Sequence, residues 1–173
     1  MSCTLSGSIS LAACDNSGGY KRLKVTPVAN ITAWSDSSNV VTITATATNQ
    51  IFEIEVPQDM IKARSTQQDT RENNVAPVYD HMVSVTTQKN DATTRNFLKL
   101  LAANQVVAFV KDNNDKWLVF GHMDRGLRTV VNGKDHAKPG DANGLDVELK
   151  AVGLLTPEGE VASGSVTSLT LES

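Results

Sequence analysis

Between Val40 and Thr48 the chain reads Val-Val-Thr-Ile-Thr-Ala-Thr-Ala-Thr, and this run most narrows the folds open to it. Val41, Ile43, Ala45 and Ala47 fall on one side, and Thr42, Thr44, Thr46 and Thr48 on the other. A period of two is that of a strand with one buried face. After Asn49-Gln50, Phe52, Ile54 and Val56 alternate with Glu53 and Glu55, and we expect them to form the second arm of a hairpin. The cleanest alternation comes later, where Leu145, Val147, Leu149 and Ala151 are spaced by Asp146, Glu148 and Lys150.

Further strands are expected at Lys21–Val28, Val78–Thr87, Val106–Val110, Lys116–Phe120, Leu127–Val131 and Val161–Leu171. Asp112-Asn113-Asn114-Asp115 suits a tight hairpin turn, because Asn and Asp tolerate positive φ. Asn30–Asn39, which holds Trp34, reads as a turn-rich connection. One helix is expected over about 91–103, capped by Asn90 or Asp91, with Phe97, Leu98 and Leu101 on one face. Asn104 suits a left-handed helix end. The fold class is mainly β: a sandwich or barrel of about eight to ten strands with one flanking helix. At 173 residues the chain is expected to be one domain around one core, with an N-terminal arm over 1–20.

Residues 57–77 are long, polar and poor in apolar anchors, and they read as an excursion that reaches a partner. Its candidate contact residues are Met60, Ile61, Lys62, Arg64, Arg71 and Val75.

The chemistry-bearing residues do not assemble into a catalytic pattern. His81, His122 and His136 show no helical i, i+4 metal spacing and no triad order. Asp141–Asp146 has alternating oxygens but lacks the calcium loop's final Glu, so a β-turn is expected there. Cys3 and Cys14 are expected as reduced thiols, and two cysteines cannot close a zinc site. Leu11-Ala12-Ala13-Cys14 looks like a lipoprotein cleavage box, but no Lys or Arg precedes it and serines interrupt its apolar run. With aromatics at 5%, a sugar-stacking platform is not expected, and a net charge of −3 gives no drive toward phosphate backbones. We expect no enzyme activity, cofactor, metal or membrane span.

The helix leads directly into a hairpin, Asn96-Phe97-Leu98-Lys99-Leu100-Leu101-Ala102-Ala103-Asn104 and then Val106–Gly121. A Gly-containing loop and Asp141-Ala-Asn-Gly-Leu-Asp-Val-Glu-Leu follow. In order of elements and in these short runs, residues 78–155 resemble the major tail tube proteins of tailed bacteriophages. The resemblance implies β-sandwich subunits that form rings, usually hexameric, and stack into a hollow tube that conducts the genome. It implies a virion protein made in the host cytoplasm, with copies of itself and other tail or neck proteins as partners and DNA in passage. Glu53, Glu55, Asp146 and Glu148 are then candidates for an acidic lumen that repels phosphates. The alternatives are a head–tail connector, a tail terminator, a capsid decoration protein, or a monomeric carbohydrate- or ligand-binding module.

Overall fold

The structure is a computed structural model and describes residues 18–45, 51–57, 60–68, 76–88, 90–133 and 144–162. Eleven strands and one α-helix are present among them, arranged as a β-sandwich with no closed barrel. The strands are β1 (Tyr20–Pro27), β2 (Ile31–Ser37), β3 (Val40–Ala45), β4 (Phe52–Glu53), β5 (Ile61–Gln67), β6 (Tyr79–Thr86), β7 (Val106–Asp112), β8 (Trp117–Phe120), β9 (Arg128–Gly133), β10 (Leu145–Leu154) and β11 (Gly159–Val161). The helix α1 spans Ala92–Ala103. One sheet has the order β2-β3-β11-β8-β7-β1-β4 and the other β5-β6-β10-β9.

The main core lies between the two sheets. Leu23 and Val25 of β1, Ala108 and Val110 of β7, Val83 and Val85 of β6 and Val147 and Leu149 of β10 meet there, with Leu98 and Leu101 of α1. Each strand pair is spaced by two, as one face of a pleated strand requires. The other face of the larger sheet is buried as well, which a single-core expectation does not anticipate. Val107 and Phe109 of β7 join Ile31, Val41, Ile43, Trp117, Val119 and Val161 in a second cluster. The run Val106–Val110 is therefore buried on both faces, the reason it is apolar at every position.

Helix α1 starts as expected, with Asp91 accepting the Thr94 N–H at 2.7 Å. Its end differs: Asn104 is extended at φ −116, and its side chain donates to Leu100 O at 2.8 Å in place of a left-handed cap. The β7–β8 hairpin also forms as expected. Its turn is held by Asp112, which accepts from the backbone of Asn114 and Lys116, and Asp115 takes the positive φ of 66.

Three expectations need correction. Ile31–Ser37 is not a connection but strand β2, paired along β3. Its small polar residues lie on the exposed side of an edge strand, where no apolar alternation marks them. β3 and β4 do not form a hairpin: β3 pairs with β2 and β11, and β4 pairs with β1 across the sheet. Residues 57–77 are not an unstructured excursion, because β5 occupies Ile61–Gln67 and pairs along β6. Its inner face is Ile61, Ala63 and Ser65, too weakly apolar to stand out in sequence. Residues 1–17, 46–50 and 163–173 lie outside the described residues, and with them most of the expected arm, both cysteines and most of the last strand.

Candidate assembly surfaces

Main-chain geometry defines the most specific surfaces on this molecule. In the smaller sheet every neighbouring pair is antiparallel, so β5 and β9, the two outer strands, run in opposite directions. Within such a ladder, alternate residues turn both backbone groups to the same side. The Gln68 N–H donates to Val78 O, which points the backbone groups of Lys62, Arg64 and Thr66 at β6 and those of Ala63 and Ser65 away from it, at the border of the sheet. Ala63 O does face outward, since it accepts from Tyr20 Oη at 3.3 Å. At the opposite side, the Thr87 N–H donates to Leu145 O. Asp146, Glu148 and Lys150 therefore bond to Asn132, Val130 and Arg128, while Thr129 and Val131 turn outward. Among the described residues, outward amides are thus present at the two borders of one sheet, with the outward Ala63 carbonyl on the β5 side already taken by Tyr20.

The candidate contact residues are divided by this geometry. Ile61 is 5% exposed and belongs to the core, so it is not a partner anchor. Strand alternation turns its side chain inward and that of Lys62 outward. Met60 is half-buried just before β5, and Lys62 and Arg64 are exposed on the outer face of the sheet. Arg64 contacts Met82 Sδ there at 3.4 Å. Arg71 and Val75 lie outside the described residues.

The four carboxylates are not brought onto one surface. Asp146 and Glu148 are on the outer face of the smaller sheet, and Glu53 is on β4 of the larger one. Thr86 Oγ1 donates to Asp146 at 2.6 Å, and Glu148 pairs with Lys150. The register also sets Lys62, Arg64 and Arg128 on that same outer face. The surface is of mixed charge, because neighbouring strands contribute cations that one strand's alternation cannot foretell. Glu55 is exposed beyond the end of β4.

Glu53 has a structural task. Its carboxylate lies 3.7 Å from both Arg22 Nε and Lys24 Nζ. Lys24 is only 4% exposed, and its ammonium sits 5.9 Å from the centre of the Trp117 ring. A buried ammonium needs compensating charge and π-density. Glu53→Ala is expected to lower stability by about 1 kcal/mol, a figure kept small because the carboxylate is partly solvated. Adding Lys24→Met should recover most of that loss in urea titrations.

Elsewhere ionisable groups serve the fold. His81, 2% exposed, lies between the sheets, and its Nδ1 accepts the Gly121 N–H at 2.9 Å. Its ring meets Phe120 edge-on at 5.7 Å, and its Nε2 has no partner at hydrogen-bonding distance. Burial pulls its pKa below the ordinary 6.5, against weaker opposing effects of Glu158, the Thr156 backbone and Asp80. Burial, with Glu158 and Asp112, raises the Tyr20 phenol. Hydrogen bonds from Lys21 and Lys111 lower the Asp115 carboxyl at the hairpin tip. The His122 ring meets Trp34 at a tilt of 58°, with centres 4.8 Å apart, and His136 is outside the described residues.

Among the described residues no group of three metal-ligating side chains occurs, and no helix is long and apolar enough to cross a membrane. No family model, curated protein or solved structure matches the chain.

Proposed function

We propose that this chain is a structural subunit that joins copies of itself into rings, and that the rings stack into the tail tube of a tailed phage. The observation that carries the reading is the smaller sheet, whose two border strands among the described residues run in opposite directions. When a second copy sets its β5 beside β9 of the first, the junction is antiparallel, like every other pair in that sheet. Repeating the step by rotation continues one ladder through all copies and closes it into a ring. Closure also removes the liability of open edges, which otherwise template aggregation. The likeness of residues 78–155 to tail tube proteins supplies the second step, stacking into a conduit for a genome. Other tail or neck proteins would then meet the ends of the stack.

Electron microscopy of the purified protein at high concentration tests this. Open-ended tubes are the expected result. Isolated rings that do not stack would favour a connector or terminator. A monomer at every concentration by light scattering would refute self-assembly, and glycan binding by such a monomer would support the binding-module alternative.

Ser65→Pro on β5 and Val131→Pro on β9 each remove one outward amide while keeping every bond inside the sheet. Proline is tolerated at such edge positions. Each variant should fold, and the protein concentration at which polymer forms should rise about tenfold, as expected for one lost hydrogen bond at every junction. Sedimentation combined with circular dichroism checks both parts.

A further inference from the structure

Strand β10 is ten residues long and spans about 30 Å. The two ends of this strand carry complementary features. At its Leu145 end, where β6 runs into Thr87, a groove of about 580 Å³ opens between α1 and the segment after β4. Ile54, Val56, Phe97 and Leu98 form its apolar lining, with Thr94 and Glu55 also in the wall. At the Leu154 end the chain turns outward through Leu155, which is 72% exposed, and Val152 beside it is 60% exposed. These are the most exposed large hydrophobic residues among those described.

A single exposed leucine is ordinary on a protein surface. This one sits on a corner that is held rigid. A bulge interrupts the pairing of β10 between Ala151 and Leu154, and Gly153 takes a φ of 75 there. The Gly153 N–H donates to Asp80 at 3.0 Å, and Arg125 Nη1 donates to the carbonyls of Val152 and Gly153 at 2.8 and 3.0 Å. The corner thus presents an apolar knob with an exposed guanidinium beside it. The groove at the other end presents an apolar slot with an exposed carboxylate, Glu55.

We propose that the Val152–Leu155 corner of one copy seats in the α1 groove of the next copy along the strand direction, with Arg125 meeting Glu55 across the contact. A contact between unlike patches at opposite ends does not close on itself and propagates along one axis. The inference rests on the ring-and-stack reading above and deepens it by naming an axial contact, distinct from the β5–β9 junction within a ring.

The test compares wild type with Leu155→Asp, Glu55→Arg, Arg125→Glu and the double variant E55R/R125E. Electron microscopy scores rings and stack length, and thermal melting confirms folding. Leu155→Asp should leave single rings and raise the concentration needed for stacking about thirtyfold, the size of a central contact residue. Glu55→Arg should shorten the stacks, and the double variant should restore them. Stacks from Leu155→Asp indistinguishable from wild type would overturn the proposal. So would a folded double variant no better than Glu55→Arg alone. If Arg125→Glu unfolds, Leu155→Asp and Glu55→Arg decide the matter by themselves. Wild-type protein forming neither rings nor stacks overturns this contact and the tube reading together, whereas intact stacking of Leu155→Asp removes this contact only.

Discussion

Phe109→Ala is expected to destabilise the subunit by about 3–5 kcal/mol, enough to unfold many domains of this size. Phe109 is fully buried in the second apolar cluster, at the middle of β7. Its neighbours Ala108 and Val110 face the opposite way, into the core between the sheets. Removing the ring leaves a cavity among Val41, Ile43, Trp117 and Val119, all on strands held in one ladder and therefore little able to collapse. Because β7 serves both clusters, the two should not melt separately. Calorimetry of the variant is expected to show one transition at lower temperature, with the intrinsic fluorescence and far-UV signals moving together. Two resolved transitions would show that the second cluster is an independent patch.

His81→Leu should cost about 1–3 kcal/mol at neutral pH and flatten the acid limb of the stability profile. The loss at neutral pH follows from leaving the buried Gly121 N–H without an acceptor. The acid limb follows from linkage. The folded state holds the His81 pKa below 6.5, so between the two values the unfolded chain binds more protons. Stability from this group is complete above about pH 6.5 and is lost as pH falls toward the folded pKa. Protonation would place a hydrogen on Nδ1 and oppose the Gly121 N–H. Wild type should therefore weaken more steeply than the variant between neutral and acidic pH, and the gap between them should narrow. Urea midpoints across that range measure it, and parallel profiles for the two proteins would exclude His81 as the source.

The strongly patterned strands were legible in sequence because one face of each is wholly apolar. β10 and the β7–β8 hairpin are such cases, as is α1 with its Asp91 cap. β2 and β5 were not, for a shared physical reason. Each is an outer strand with few apolar side chains, and its place is set by backbone pairing to a stronger neighbour. Alternation likewise shows that Asp146 and Glu148 share a face, but it is silent on which strands lie beside them. Pairing brings Arg128 and Lys150 into that surface and turns an expected acidic patch into a mixed one. The assembly surfaces depend on pairing in the same way. Which amides of β5 and β9 face outward follows from register, and register is a property of two strands together.

The strand number of the smaller sheet also limits the symmetry open to it. An even count makes the left and right borders point in contrary senses, so one rotation, repeated, is enough to build a ring. Had the sheet three or five members, its borders would point alike, and successive copies would meet through slanted parallel bonds. The antiparallel contacts left to such a sheet would join like borders across a two-fold axis. The loss or gain of one strand in this sheet is therefore a change of symmetry class as well as a change of area.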